Sequence, residues 1–135
     1  MLSAYFEHKS LLHKVLRLNA AFSGLFGLVF LLFPSKFSGM FGLSNEMAIT
    51  ITGVLLIGWE IFVFQLVRQP QVSVAGVWTV ILGDLAWVSG SIALLLGDWL
   101  PLTKTGFWFV AIIADIILVF AIVQYIGLRR QRNMS

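Results

Sequence analysis

Four stretches of almost unbroken apolar residues alternate along the chain with short segments that hold charge, proline or glycine. A helix needs roughly 20 residues to cross about 30 Å of hydrocarbon, and each stretch approaches or reaches that length. The first covers about 18–33, between Arg17 and Pro34-Ser35-Lys36. The second covers 47–67, between Glu46 and Arg68, and the third 72–96, between Pro70 and the turn at Gly97-Asp98. The fourth covers 106–128, between Lys104 and Arg129-Arg130. The pattern predicts an all-α polytopic membrane protein, a four-transmembrane-helix bundle forming one domain over 1–135. Four buried helices of a soluble protein would each need a polar outer face, and none of these has one. The first span shares its lysine-preceded apolar run with signal peptides, but it is long and no Ala-x-Ala-like site follows it. It is therefore expected to be retained.

Composition agrees with this reading. Nine basic and six acidic side chains among 135 residues, 59% apolar residues and a mean hydropathy of +0.96 fall far from a soluble domain, in which roughly a quarter of residues are charged. Cysteine is absent, which excludes disulfides, thiolate metal sites and cysteine nucleophiles together. The net charge of +3 and pI near 9.7 come from residues that flank the spans and form no patch interleaved with aromatics, so no nucleic-acid partner is expected. Lys9, Lys14, Arg17, Arg68, Arg129, Arg130 and Arg132 fall on one side of the predicted bundle and only Lys36 and Lys104 on the other. The positive-inside rule then places both termini in the cytoplasm.

The segments outside the spans are too short to fold alone. In the segment 1–16, Leu2, Tyr5, Phe6 and Leu12 share one side while Glu7, Lys9 and Lys14 lie elsewhere, the pattern of an amphipathic stretch on the inner membrane surface. Residues 129–135 form a basic cytoplasmic tail. The outer loop 35–46 carries Phe37, Met40, Phe41 and Leu43 among Gly and Ser and is expected to dip into the interface. Trp99 and Trp108 fit an aromatic belt, whereas Trp59, Trp78 and Trp87 lie deeper. His8 and His13 precede the first span and are expected to be interfacial, which excludes bis-histidine haem ligation across the bundle.

The third span holds Gly76, Gly83, Gly90 and Gly97 at seven-residue intervals, with Thr79, Ala86 and Ala93 between them. Such a row lets backbones approach closely in lipid, where packing replaces the missing hydrophobic drive. The third span is therefore expected to be the central, most tightly packed helix. An intramolecular partner is preferred, since four helices already need a core; the same span of a second copy is the alternative.

Three acids, Glu60, Asp84 and Asp115, lie inside spans, where a charged side chain at the centre costs at least about 2.5 to 3.5 kcal/mol on insertion scales. On the third span, Ser73, Asp84 and Ser91 fall within a sector of about 20° beside Trp87. On the first, Asn19, Ser23 and Gly27 recur every four residues. On the fourth, Asp115 shares a face with Trp108 and Gln124 points the opposite way, as a separate contact. The bundle is expected to gather Asn19, Ser23, Glu60, Asp84, Trp87, Ser91 and Asp115 around one polar cavity. No Lys, Arg or His lies within a span to neutralise the acids, so at least one is expected to be protonated unless a cation is bound. Singly, each acid could serve only as interhelical glue, worth about 0.6 to 1.7 kcal/mol.

A hydrolase nucleophile lacks its histidine base, no phosphate-cradling glycine loop appears, and no carboxylate spacing forms a recognisable metal motif. No catalytic residue, metal or cofactor is assigned. Acids in an aromatic cavity suit a proton relay or the capture of a lipophilic amine, with Trp59, Trp78 or Trp87 adding cation–π attraction. The leading expectation is proton-coupled transport, or binding, of a small lipophilic or cationic ligand. The alternatives are an accessory subunit that packs against a membrane complex or lipid through the glycine seam, with homo-oligomerisation open, and a lipid-modifying enzyme.

The sequence Arg17-Leu18-Asn19-Ala20, the glycine-containing span that ends at Pro34, Phe41-Gly42-Leu43, the run from Gly83-Asp84 through Trp87 to Gly90-Ser91, and the final Gln124 to Arg130 together resemble small uncharacterised bacterial four-span proteins, loosely DoxX-like. The resemblance implies a location in the bacterial inner membrane and no reaction. Small multidrug exporters have similar size and span number but carry an essential acid in the first span, where this chain has Asn19.

Overall fold

The computed structural model describes residues 11–70, 72–97 and 100–134, with side chains described as far as Gln131. Among these, the regular elements are five helices: α1 (Leu12–Leu32), α2 (Pro34–Met40), α3 (Met47–Val67), α4 (Val74–Gly97) and α5 (Lys104–Met134). Four of them, all but α2, are long and apolar enough to cross a membrane, which makes the protein an all-helical membrane bundle. Leu2, Tyr5, Phe6, Glu7, His8, Lys9 and Trp99 lie outside the described residues. Helix α1 begins earlier than the apolar stretch alone suggests, and α5 continues through the basic tail, because charged residues at a membrane surface extend a helix at no cost to its backbone hydrogen bonds.

Local sequence sets the helix ends. Helix α1 stops at Phe33, at φ −130 and ψ 53, because a residue before proline is pushed out of the helical region. Pro34 then starts α2, where its missing N–H would have had no partner anyway. Ser73 Oγ accepts from Gly76 N at 3.2 Å and Thr103 Oγ1 from Gly106 N at 3.0 Å, so α4 and α5 each start beneath a polar cap; ahead of α3, Asn45 Oδ1 accepts from Met47 N at 2.9 Å. Gly42 sits at φ +69, where a side chain would also run into Pro101.

The helices form two close pairs, α1 along α3 and α4 along α5, joined where α1 meets α5; α3 and α4 scarcely touch. Gly27 and Gly53 make the α1–α3 approach, since a Cβ on either would stand 3.0 Å from the other's carbonyl oxygen. The central helix is therefore α1, which buries Leu16, Asn19, Ser23 and Phe30 among others, and not α4 as the glycine row suggests. On α4, Gly76 abuts Leu66 and Gly83 abuts Trp59, whereas Gly90 has open space around it and Ala86 and Gly97 are exposed; Ala93 is half-buried. The row faces the gap between α3 and α4 and meets large α3 side chains only in the half nearer the termini.

The core divides by composition. Near the termini it is aliphatic, with Leu12, Leu16, Val63, Val67, Val77 and Leu128 among its members. At the other end it is phenylalanine: Phe109 of α5 has Phe26, Phe30, Phe37 and Phe41 around it, with ring centroids 5.8, 6.3, 5.5 and 5.9 Å away. Those contacts hold α2 and the loop after it across the end of the bundle.

The terminal end is closed by hydrogen bonds. Gln131 of α5 donates from Nε2 to the Val72 carbonyl at 2.9 Å and accepts from Val72 N at 3.1 Å. His13 is fully buried and its Nε2 donates to the Gln69 carbonyl at 2.8 Å. His13 is thus a structural residue that ties α1 to the α3–α4 connection at the terminal end of the bundle.

Candidate functional site

Midway along the bundle, α1 sends two polar groups into the apolar interior and α4 and α5 one each. Asn19 Nδ2 donates to Asp84 Oδ2 at 2.9 Å and to Gln124 Oε1 at 2.8 Å, and Gln124 Nε2 donates to the same Asp84 Oδ2 at 2.9 Å. Ser23 Oγ closes the group by donating to Asn19 Oδ1 at 3.3 Å. All four residues are buried. The pattern fixes the amide orientations: turning Gln124 over would set its NH2 against that of Asn19 and its oxygen against a carboxyl oxygen. Asp84 is thus held through Oδ2 alone. Its Oδ1 bonds to none of the described residues, and Asp84 lines a cavity of about 280 Å3.

That cavity occupies the gap between α3 and α4. Thr52, Leu56 and Trp59 of α3 form one wall, Gly83, Asp84 and Trp87 of α4 the other, with Asn19, Ser23 and Ile117 behind. Leu55 also lines it and is 67% exposed, so the cavity opens sideways where lipid would stand. A second cavity, of about 230 Å3, continues toward the α2 end and shares Thr52 and Trp87 with the first. Its lining is apolar apart from Thr52 and Ser91, whose Oγ donates to the Trp87 carbonyl at 2.8 Å. Toward the termini, the aliphatic core seals the passage.

The structure brings Asn19, Ser23, Asp84, Trp87 and Ser91 together along this one passage. It does not bring in Glu60 or Asp115. Glu60 is half-buried in the α1–α3 seam, where a Cβ on Gly24 would stand 3.0 Å from its Cγ. Asp115 is exposed on the outer side of α5. The reason is angular, since nine residues at 100° each set Asp115 and Gln124 on opposite sides of the helix. Only one can face inward, and it is Gln124. Its signal in the sequence is the run Ala114, Ile117, Ala121, Gln124, Leu128, an a/d spacing in which small residues admit a close neighbour; all five are buried. Trp78 lies outside the cavities, against Tyr125.

Among the described residues no group of His, Cys, Asp and Glu could hold a metal ion. Comparison with known proteins finds no matching family model, no matching curated protein and no matching solved structure. Fold and site together define a small multi-pass membrane protein with a carboxyl group set in a laterally open cavity.

Proposed function

We propose that the protein binds a lipophilic cation in the α3–α4 cleft, and that binding is coupled to a proton on Asp84. The observation that carries this reading is the free Oδ1 of Asp84, presented to a cavity walled by Trp59 and Trp87. Two N–H donors occupy Oδ2, so a proton on Asp84 sits on Oδ1. An arriving cation displaces it, and the site holds no uncompensated charge in either state. The indole faces add cation–π attraction, about 0.5 to 2 kcal/mol each. The second cavity takes the apolar body of the ligand. Because the passage is closed toward the termini and open to the side, this shape suits loading from the bilayer.

The proposed setting is the bacterial inner membrane with both termini cytoplasmic, supported by the seven basic residues on the terminal side and by the resemblance given above. Transport across the membrane requires a second shape, open toward the termini. An accessory role through the glycine row draws support from Gly90, which has open space around it.

The test is titration of the 135-residue chain in lipid nanodiscs with decyltrimethylammonium, read by tryptophan fluorescence and by proton release. Saturable binding with release of about one proton per cation is expected, and Asp84→Asn should lose at least tenfold in affinity and all proton release. Equal binding by Asp84→Asn and wild type would overturn the reading. Partners that co-purify with wild type but not with Gly90→Leu, without cation binding, would favour the accessory role.

A further inference from the structure

The cavity leaves one intramembrane acid unused. Asp115 stands about 16 Å along α5 from its start, at 1.5 Å per residue, hence near the bilayer centre, and it faces outward. Its surroundings are apolar and open: Ile112 is 54% and Val119 56% exposed. Acids at this depth almost always face a bundle interior, an aqueous cavity or a partner. Among the described residues Asp115 has no hydrogen-bond partner, and no Lys, Arg or His lies within the apolar stretches 18–33, 47–67, 72–96 and 106–128.

A complementary group lies on the neighbouring helix. Trp78 of α4 packs on Tyr125 of α5, with centroids 5.9 Å apart, and Val72 pairs with Gln131, which sets the antiparallel register. Counting from the Trp78–Tyr125 contact, eleven residues up α4 reach Ser89 and ten back along α5 reach Asp115, so the two stand at one depth. Ser89 lies within about 20° of Trp78 around α4 and is exposed on that outward side. Ser23, Thr52, Thr79 and Ser91 each donate to an atom of their own helix. The Ser89 hydroxyl, by contrast, has no partner among the described residues.

We propose that the outer face of α4 and α5 is the interface of a two-fold dimer, in which Ser89 of each copy donates to Asp115 of the other. Two copies inserted in the same direction are related by an axis along the membrane normal. That operation exchanges the two faces, so that one donor and one acceptor per copy satisfy each other twice. Donor and acceptor at equal depth on adjacent helices meet this requirement without any base. The interface is independent of the Asp84 cavity, which opens on the α3 side of α4.

The 135-residue chain carries no cysteine, so single-cysteine variants report cleanly. Ile92→Cys and Ile112→Cys, which flank the pair one turn away, are mixed in bilayers and oxidised. The expected result is a disulfide between unlike copies, and none between Ile92→Cys and Leu25→Cys, which lies on α1. Single-molecule photobleaching at increasing dilution in lipid gives the dimer affinity. Asp115→Leu and Ser89→Ala should each weaken it about tenfold, given two interhelical bonds lost per dimer, while Asp115→Asn retains most of it. Because both residues are exposed, these variants should fold as wild type, with Asp84-dependent binding unchanged. A wild-type protein that stays monomeric at every lipid dilution, or an Asp115→Leu dimer of wild-type strength, would overturn the proposal. The first result would direct attention to a different chain with a basic membrane helix.

Discussion

Asn19 of α1 reaches Asp84 of α4 across the bundle, with Nδ2 donating to Oδ2 at 2.9 Å, and the same amide group also donates to Gln124 of α5. One side chain thus ties three helices. Replacing Asn19 by Leu leaves the buried Gln124 Oε1 without its donor and Ser23 Oγ without its acceptor, at about 1 to 3 kcal/mol for an unsatisfied buried group, while Asp84 Oδ2 keeps its bond from Gln124. Asn19→Leu and Gln124→Leu should therefore unfold earlier than wild type in detergent. Asp84→Asn, which keeps size and most hydrogen bonding, should unfold close to wild type. The measurement is thermal unfolding followed by circular dichroism. A Tm for Asn19→Leu equal to wild type would show that the three-helix group contributes no stability.

The glycines divide into those that need to be glycine and those that do not. A Cβ on Gly27 would stand 2.9 Å from Ile57 Cδ1 as well as 3.0 Å from the Gly53 carbonyl, whereas one on Gly90 meets nothing within 4 Å. Overfilling a packed contact costs about 1 to 3 kcal/mol. Gly27→Ala and Gly53→Ala are expected to lower the folded yield from membranes measurably, and Gly27→Leu to abolish it. Gly90→Leu should leave the yield unchanged. Size-exclusion profiles of the four variants check this ordering; its reversal would show that α4 and not α1 is the packed centre.

How much of this was legible in the sequence follows from which helices face what. Span number, span position and the polar groups on the first and third spans can be read directly, because apolar length and four-residue spacing are properties of one helix. The seven-residue glycine row is equally visible, yet its partner is not: Gly76 and Gly83 meet Leu66 and Trp59 side chains and Gly90 meets nothing. Whether a row of small residues is filled depends on where two other helices lie. The same limit governs α5, whose two polar residues in the apolar stretch are half a turn apart. Periodicity reports that opposition but not which side turns inward. Burial of His13 was hidden because its partner is a backbone carbonyl at Gln69, which leaves no mark in side-chain pattern.

Trp87, with Thr52, lines both cavities and so stands where they meet. Its ring is replaceable without touching the Ser91 bond, which goes to the Trp87 backbone carbonyl. Trp87→Leu removes the cation–π contribution, so affinity for decyltrimethylammonium should fall roughly 2- to 30-fold for a loss of about 0.5 to 2 kcal/mol. Trp87→Phe should fall less. Isothermal titration in nanodiscs distinguishes them. Unchanged affinity in Trp87→Leu would mean that the cation does not rest against this wall.

At the terminal end, Gln131 substitutes for a missing stretch of backbone. Val72 follows the α3–α4 turn and precedes α4, so neither its N–H nor its C=O lies inside a helix, yet it is buried. Gln131 presents an amide in the same donor and acceptor arrangement as a paired strand and satisfies both at 3.1 and 2.9 Å. Gln131→Leu retains bulk but orphans both groups, and water then competes for them. Hydrogen exchange at the Val72 amide should speed up by at least tenfold, equivalent to about 1.4 kcal/mol of local opening. Amides around Asp84 and Phe109 should keep their protection, because their contacts lie farther along the bundle. Gln131→Glu offers an acceptor but no N–H, so it can hold the Val72 amide while losing the bond to its carbonyl, and exchange there should fall between the other two. If Gln131→Leu exchanges as slowly as wild type at Val72, burial alone protects the turn and the paired amide is incidental.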